Sequence, residues 1–336
     1  MTSVAVVILN YNGEKLLKQF LPSVIQHSAE AKIFVADNGS GDRSVAMLQA
    51  EFPQVGVIPL GANYGFCGGY NKALAAITAD YFVLLNSDVE VTREWLTPLK
   101  ALLDDNPQIV SVQPKILSYR SKALFEYAGA GGGFLDALGY PFCRGRVFDH
   151  VEQDLGQYDD ERAVFWTSGA CMMIRSEKFR EHGGFDEDFF AHMEEIDLCW
   201  KLNRSQNLVY YSGKSRVYHL GAGTLGYQHP RKTYLNFRNG LMLIFKHLDT
   251  GELFYKLPAR MALDWLAALF FIFKGQFRNA WSVLQAHAGF LGQIRKLTAK
   301  RHEIRQQHPS YPRTNIRAGL IIFEYYLLRK KSFPLQ

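Results

Sequence analysis

Residues 4–42 read VAVVILNYNGEKLLKQFLPSVIQHSAEAKIFVADNGSGD, and this stretch decides the fold. Two apolar runs, Val4–Leu9 and Lys32–Ala36, have the length and composition of buried strands. Between them, Glu14–Gln26 repeats its apolar residues at helical spacing. A strand, a helix and a second strand in this order predict two parallel strands joined by a crossover helix.

The same alternation continues to about residue 115. Further strands are predicted at Val55–Ile58, Tyr81–Leu85 and Ile109–Gln113, and further helices at Ser44–Glu51, Gly69–Ile77 and Arg93–Asp105. Beyond residue 115 the pattern weakens, and the glycine run 129–133 predicts a mobile loop region. We therefore expect an α/β fold with a mostly parallel sheet and helices on both faces.

The composition is that of a folded protein, with 48% apolar and 21% charged residues among 336. The charge is uneven, because residues 230–336 carry a balance of +13 whereas the preceding 229 residues carry −7. A basic tail of this kind is expected to face something anionic. We find no nucleic-acid-binding motif in it, so an anionic membrane surface is the expected partner and nucleic acid is not.

The most apolar part of this tail is Met261–Phe273, whose 13 residues include Asp264. A membrane-spanning helix needs about 20 apolar residues, so no span is predicted here. Aromatic residues interleaved with lysine and arginine favour a helix lying in the membrane interface, and Ala318–Leu328 is a second candidate. The alternative is that both segments are core helices of a C-terminal subdomain.

Cysteine usage and the N-terminus favour a cytoplasmic protein. The four cysteines are far apart and form no C-x-x-C pair. The apolar run at Val4–Leu9 is too short for a signal peptide. Together with the basic tail, this predicts a cytoplasmic protein that is peripheral at the inner face of the membrane.

Polar residues follow the predicted strands at the edge where parallel sheets bind ligands. These residues are Asn10, Tyr11, Asn12, Asp37, Asn63, Gly65, Asn86, Ser87 and Asp88. Neither a P-loop nor a dinucleotide fingerprint has the required glycine spacing, so a nucleotide would be held in another way.

Five acidic or histidine side chains have a chemical and a structural interpretation. Asp37 could accept the ring N–H of uracil or thymine, or could stabilise an Asx-turn. Asp88 could ligate Mg²⁺ or Mn²⁺, or lie in the N-cap region of the next helix. Glu194 and Glu195 could raise each other's pKa as a general base requires, or could complement a helix dipole. His219, alone, is more often structural.

Eight segments in order make the chain resemble family-2 glycosyltransferases of the GT-A fold, in the branch of rhamnosyltransferases and other cell-surface polysaccharide enzymes. The resemblance covers about residues 3–225. The segments are VVILNYNG (6–13), VADNGSGD (35–42), NYGFCGGYN (63–71), LLNSDVEV (84–91), SGACMMIR (168–175), GGFDEDFF (183–190), MEEIDLCWKL (193–202) and VYHLGAGT (217–224).

The resemblance implies a dTDP- or UDP-sugar as donor. Tyr11 and Asp37 would recognise the pyrimidine. The remaining residues implied for the nucleotide pocket and the sugar and acceptor cleft are Asn63, Gly65, Asn71, Trp166, Ser168 and Gly169.

It also implies Mg²⁺ or Mn²⁺, with Asp88 at the metal-binding end of a D-x-D element and His219 as a further ligand. Here that element reads N-S-D at residues 86–88, so an amide replaces its first carboxylate. The family's usual Glu-Asp pair reads Glu194–Glu195, with Glu195 as the implied base and Glu194 beside it.

We therefore predict an inverting glycosyltransferase that acts on a hydroxyl of a glycan acceptor. The basic, aromatic tail of the enzyme suggests that this acceptor is lipid-linked. Its catalytic domain would span residues 1–229, with a nucleotide-binding half to about 115 and an acceptor half from about 116. Residues 230–336 would form a helical, basic, membrane-associated region. The alternatives are a sugar-phosphate nucleotidyltransferase and a catalytically silent carbohydrate-binding or scaffold protein.

Overall fold

The computed structural model describes residues 2–126, 129–221, 229–309 and 314–333. The strands are β1 (Val4–Asn10), β2 (Ala31–Asp37), β3 (Gly56–Pro59), β4 (Tyr81–Asn86), β5 (Val89–Val91), β6 (Ile109–Ser118), β7 (Gly133–Leu135), β8 (Pro141–Cys143), β9 (Arg146–Val147), β10 (His150–Val151), β11 (Glu161–Ala163), β12 (Cys171–Arg175) and β13 (Leu208–His219). The helices are α1 (Glu14–His27), α2 (Ser44–Glu51), α3 (Gly65–Ala75), α4 (Leu96–Asp105), α5 (Ser176–Glu181), α6 (Glu194–Arg204), α7 (Pro230–His247), α8 (Thr250–Phe273), α9 (Phe277–Gly292), α10 (Ile294–Gln307) and α11 (Ile321–Tyr326).

Within the described residues, the main sheet has nine strands in the order β11-β13-β6-β12-β4-β1-β2-β3, with β5 paired to β13. Strands β4, β1, β2 and β3 are parallel, as the N-terminal alternation predicts. Strand β12 inserts antiparallel between β4 and β6. The predicted α/β class and the helix-flanked parallel sheet are confirmed.

The two faces of the sheet bury separate apolar clusters. Alternate side chains of β1 point to opposite faces, so Val6 joins one cluster and Val7 the other. Helices α1, α2 and α4 cover the first face, whereas α3, α6 and α7 cover the second. Because Leu241 and Ile244 of α7 lie in the same cluster as Trp200 of α6, residues on either side of position 229 share one core. The domain boundary there stays a prediction.

Helix α3 differs from the prediction at its start, since it begins at Gly65 rather than Gly69. The side chain of Asn63 accepts a hydrogen bond from the Gly65 amide at 2.9 Å. The Phe190 carbonyl accepts from the next two amides of the chain, at 2.9 and 3.3 Å. These contacts supply partners for the free amides of the first turn, and the second of them comes from a distant segment.

The glycine run 129–133 is buried and leads into a strand, so the prediction of a mobile loop there is wrong. Its last residue starts β7, which belongs to a small sheet ordered β10-β9-β8-β7. A Cβ atom on Gly133 would lie 2.1 Å from the Trp166 ring. The glycines are needed here for close packing.

The basic C-terminal segment is helical, as predicted. Helix α7 packs against α8, α9 and α10. Helix α8 has 24 residues and contains the predicted interfacial segment. Of the helices in the described ranges, none is both long and apolar enough to span a membrane.

Candidate active site

The carboxyl ends of β1 and β2 are joined by a polar network. Asn10 lies opposite Asp37 in the parallel pair, and its side-chain amide donates to Asp37 Oδ1 and to Ser40 Oγ, each at 3.1 Å. The Ser40 amide donates to Asp37 Oδ2 at 3.1 Å. Asp37 is buried, and its Oδ2 stabilises the turn after β2, in line with the structural interpretation, whereas its Oδ1 binds Asn10 of β1. Its recognition of a pyrimidine stays a prediction.

Two further predicted residues follow β1. The Asn12 amide donates to Ser40 Oγ at 2.9 Å, and Asn12 Oδ1 accepts from the Gly41 amide at 2.7 Å. These bonds tie the end of β1 to the loop after β2. Tyr11, between the two asparagines, is 44% exposed, so its ring can meet a ligand at this edge.

A second turn brings Gly65 to the same edge. Asn38 donates to the Gly65 carbonyl at 2.9 Å and accepts from the Tyr64 amide at 3.0 Å, which fixes the entry into α3. Gly65 has φ +71°. A Cβ atom there would lie 2.7 Å from the Phe190 ring, so glycine is required for both conformation and space.

Asp88 meets His219 where β5 pairs with the end of β13. His219 Nε2 lies 3.1 Å from Asp88 Oδ1, and Nδ1 lies 3.1 Å from Glu126 Oε2. All three side chains are buried. Burial lowers the pKa of His219, but the two carboxylates outweigh this effect and raise it to about 10. Because α4 begins only at Leu96, the N-cap interpretation of Asp88 is wrong.

The donor set at this point is a carboxylate oxygen and an imidazole nitrogen, with the amide nitrogen of Asn86 3.4 Å from Nε2. Ser87, half-buried, lies between Asn86 and Asp88. In the part of the chain that the structure describes, no group of three His, Cys, Asp or Glu side chains is arranged around one ion. Hard divalent ions are often held by one or two protein groups together with substrate phosphates. Asp88 fits that kind of shared site, and His219 would join it with Nε2 deprotonated, since a metal ion displaces the proton of a histidine ligand.

Helix α6 begins with the two adjacent glutamates. Glu194 is buried and Glu195 partly buried. Burial raises the pKa of Glu195 to about 7. Burial and the neighbouring charge of Glu195 raise the pKa of Glu194 well above its usual value. On each residue, Oε2 has no hydrogen-bond partner among the described residues, so these carboxylates are available for chemistry.

Asp197, one turn further along α6, is different. Its Oδ1 accepts from Lys246 Nζ at 2.6 Å and lies 2.8 Å from His247 Nε2. Burial alone would raise the pKa of Asp197, but Lys246 and His247 hold it well below its ordinary value. Asp197 is therefore a permanent anion in an ion-pair cluster and is unsuited to act as a base.

The backbone before α6 is strained. Phe190, His192 and Met193 have φ values of +64°, +70° and +73°. Residues other than glycine rarely have a backbone φ in this positive, left-handed region. Such strain clusters at functional sites, where the surrounding structure must hold it in place.

Four other predicted residues have contacts inside the protein. Trp166 Nε1 donates to the Phe134 carbonyl at 3.0 Å. The Ser168 amide donates to Gln113 at 2.9 Å, and Asn71 Nδ2 donates to the Phe185 carbonyl at 2.8 Å. Gly169 is buried beside the Phe66 ring. Their roles at a nucleotide or sugar stay predictions.

Two parts of the site were missed from the sequence. Glu126 lies in the region of weak pattern, where no motif marked it. The α7 residues that reach α6 were counted only as charge in a basic tail. A buried asparagine or lysine on a helix gives no local sign of its distant partner.

The comparison with known families decides the assignment. The sequence model of glycosyl transferase family 2 matches residues 5–183, which is more than half of the chain. The chain belongs to glycosyl transferase family 2. This glycosyltransferase is 27% identical over 253 residues to the N-acetylglucosaminyl-diphospho-decaprenol L-rhamnosyltransferase of Mycobacterium tuberculosis, an alignment that covers 68% of this chain and 82% of the relative.

Other relatives agree with the assignment. The glycosyltransferase is 23% identical over 255 residues to rhamnosyltransferase WbbL of Escherichia coli, covering 73% of this chain and 92% of WbbL. Among solved structures, GalNAc-T7 with UDP, GalNAc and Mn²⁺ has a TM-score of 0.58 at 17% identity, covering 74% of this chain and 49% of that one. This likeness confirms the GT-A fold.

Proposed function

We propose that this rhamnosyltransferase-like enzyme transfers a sugar from a dTDP- or UDP-sugar to a hydroxyl of a lipid-linked glycan, with inversion. The observation that carries the proposal is Glu195, a partly buried residue whose buried Oε2 has no hydrogen-bond partner among the described residues and whose pKa burial raises to about 7. A pKa near the working pH is what an effective general base requires. The M. tuberculosis relative, whose name specifies a diphospho-decaprenol-linked sugar, supports a lipid-linked acceptor.

In this mechanism Glu195 takes the proton of the acceptor hydroxyl. The hydroxyl oxygen forms its bond to the anomeric carbon while the bond from that carbon to the diphosphate oxygen breaks. A single displacement by one base inverts the anomeric centre, as it does in inverting glycosidases. Glu194 is more deeply buried, and burial together with the neighbouring charge of Glu195 raises its pKa well above the usual value. In this mechanism it would support the loop and the charge state of Glu195.

Asp88 and His219 would hold Mg²⁺ or Mn²⁺ in this mechanism. When bound, the ion would supply positive charge to the departing diphosphate. Glu126 contacts the other ring nitrogen of His219 and would keep Nε2 directed at the site. The donor set supports this assignment, and so does the Mn²⁺ in the GalNAc-T7 structure.

The function is tested by measuring release of nucleoside diphosphate. The enzyme is incubated with Mn²⁺, a panel of dTDP- and UDP-sugars, and a polyprenyl-diphosphate-linked glycan. We expect release that depends on both substrates, with a product whose anomeric configuration is inverted by NMR. Thermal stabilisation by a nucleotide sugar without any turnover would favour a silent binding protein. Pyrophosphate formation from a nucleoside triphosphate and a sugar phosphate would identify a nucleotidyltransferase.

The location of the reaction is proposed from an exposed apolar surface on α8 and α9, here called the aromatic face. Its large exposed side chains are Phe254, Tyr255, Trp265, Leu266, Leu269, Phe270, Ile272, Phe273, Phe277, Trp281 and Leu291. Phe254 and Phe273 are 85% and 87% exposed. Large exposed apolar patches mark interaction sites on protein surfaces. The exposed cations Lys274 and Arg278 stand at the α8–α9 turn.

Aromatic side chains beside exposed cations suit the surface of an anionic membrane. We propose that the aromatic face lies on that surface, which would hold the enzyme beside a lipid-linked acceptor. The second predicted segment adds to this chemistry, because α11 exposes Phe323 and Tyr326 and is followed by exposed Arg329 and Lys330.

Tryptophan fluorescence can test this placement directly. Trp265 and Trp281 are exposed on the aromatic face, whereas the other three tryptophans are buried. Anionic vesicles should therefore shift the emission to the blue, and high salt should reverse part of the shift. The double change Trp265→Phe and Trp281→Phe should abolish the signal while vesicle sedimentation persists. No shift and no sedimentation would show that this face does not bind lipid.

A further inference from the structure

The strained loop that precedes Glu194 has every carbonyl from residue 188 to 193 occupied by a donor. The Phe190 carbonyl accepts from the Phe66 amide at 2.9 Å, and the Met193 carbonyl accepts from the Asp197 amide at 2.9 Å. The remaining four carbonyls are bound by two side chains from the C-terminal region. The loop conformation therefore depends on residues well outside it.

Asn239 on α7 makes three of these contacts. Its Nδ2 donates to the carbonyls of Phe189, Ala191 and His192 at 3.0, 2.9 and 2.7 Å. The side chain is fully buried. An amide NH₂ has two hydrogens, so one of them is shared between two of the three carbonyls.

Arg238 completes the contact and orients its neighbour. Its Nη2 donates to the carbonyls of Asp188 and Phe189 at 2.9 and 3.1 Å. Its Nε donates to Asn239 Oδ1 at 2.9 Å. That bond fixes which end of the Asn239 amide faces the loop, because only the NH₂ end can donate to carbonyls.

Helix α7 also contacts the chain after the glutamate pair, on α6. About two turns after Asn239, Lys246 and His247 contact Asp197 on α6. Lys246 also donates to Asp186, before the loop, at 2.7 Å. One helix therefore fixes both the segment that leads into Glu194–Glu195 and the helix that follows.

We propose that Asn239 is a positioning residue for catalysis, which keeps the loop at 189–193 in its left-handed conformation and so places Glu195 against the acceptor. The inference rests on the proposed role of Glu195 as the base. The geometric basis is that one side chain binds three of the five carbonyls of this strained loop, directly before the proposed base. Misplacement of a reacting group by about 1 Å can lower a rate by about 10².

The test compares Asn239→Ala and the milder Asn239→Ser with Asn279→Ala. Asn279 is a buried asparagine of α9 that contacts Thr233 of α7 and does not touch the loop, so it is the matched control. Hydrogen exchange of the amides at 190–193 measures the loop without any substrate. We expect exchange about tenfold faster or more in Asn239→Ala, an intermediate effect in Asn239→Ser, and no change in Asn279→Ala.

Kinetics then separate positioning from stability. In Asn239→Ala we expect kcat to fall by about 10², with the donor KM within about twofold of wild type. The midpoint of the kcat profile should also move below pH 7, because a loosened Glu195 is better solvated. If the hydrogen-exchange rates at 190–193 were the same in Asn239→Ala as in wild type, the Asn239 contacts would not be what orders the loop. If exchange became faster but kcat and the midpoint of its pH profile did not change, Asn239 would not be a positioning residue for Glu195.

Failure of the proposed function would look different. If Glu195→Gln kept full turnover, the base assignment would be wrong, whereas the exchange measurement on Asn239 variants would still report on the loop. If Glu195→Gln lost turnover and the Asn239 variants did not, the base would stand and only the positioning role would be lost.

Discussion

Replacing Glu195 by glutamine should stabilise the protein while disabling it. In the folded chain, burial raises the pKa of Glu195 from 4.5 to about 7, so the charged form is disfavoured by folding. Glutamine has the same size and carries no charge. The substitution therefore removes a cost of folding together with the group that accepts the acceptor's proton.

The size and pH range of the effect follow from the two pKa values. Below about pH 4.5 the carboxyl is neutral in both the folded and unfolded states, and the two proteins should be equally stable. Between pH 4.5 and 7 the unfolded chain releases its proton first, so wild type loses stability as the pH rises. One pKa unit corresponds to about 1.4 kcal/mol, which gives at most about 3.5 kcal/mol well above pH 7. For a chain of this length that is a melting-temperature increase of at most about 5 °C.

The assay is thermal unfolding of wild type and Glu195→Gln at pH 4.5 and pH 8, with turnover measured at pH 8. Glu177→Gln is the control, because Glu177 is exposed on α5. We expect Glu195→Gln to melt higher than wild type only at pH 8, and its turnover to fall by about 10² to 10⁴. Wild-type turnover should rise with pH to a plateau above about 7, since the base must be deprotonated.

Two results would refute this reasoning. Equal melting temperatures at pH 8 would mean that Glu195 is not an energetically costly charge. Full turnover with the true acceptor would remove Glu195 as the base and make Glu194 the next candidate. Asp197 would not qualify, because Lys246 and His247 already hold its charge.

Three further predictions concern the neighbouring groups. Glu194→Gln should lower turnover less than Glu195→Gln, and the reverse order in the same assay would exchange their roles. Asp88→Ala and His219→Ala should weaken Mn²⁺-dependent donor binding in calorimetric titrations, and affinity equal to wild type would exclude them as ligands. Asp37→Ala should weaken UDP or dTDP binding about 10- to 150-fold, which corresponds to about 1.5 to 3 kcal/mol for a lost hydrogen bond to a carboxylate. Unchanged titrations in a variant with a native melting temperature would remove Asp37 from the pyrimidine site.

The parallel half of the sheet was predictable because its signals are local. β1, β2 and β4 are continuous apolar runs that end in polar turns, and their observed bounds lie within a residue of those predicted. The antiparallel strand β12 was not predictable as such, since its direction depends on pairing with β4 and β6. The meeting of Asp88 and His219 followed from the resemblance rather than from spacing.

The net charge of the tail follows from the sequence, but the partners of its individual cations do not, and the anionic membrane surface stays a prediction. Several basic residues of the C-terminal region face acidic residues of the same chain. Lys246 and Lys300 pair with Asp186, and Lys300 also pairs with Asp188. A count of charges along the sequence cannot separate a cation that binds its own protein from one that is available to a membrane.

Glu126 and Asn239 show where sequence reasoning ended. Glu126 contacts His219, and Asn239 binds three carbonyls of the 189–193 loop, in each case far along the chain. Neither residue belongs to a motif or a periodic pattern. Their contacts depend on how β13 and α7 return to the sheet edge. Only the packed structure brings such residues to the atoms they bind.

The dependence of the 189–193 loop on Arg238 and Asn239 also limits how this enzyme can be recombined with its relatives. The family match ends at residue 183, before either side chain. A chimaera joined between α6 and α7 would inherit its glutamate pair from one parent and the carbonyl donors of the loop from the other. A chimaera intended to exchange donor or acceptor preference should therefore take α7 and the Glu194–Glu195 pair from the same parent.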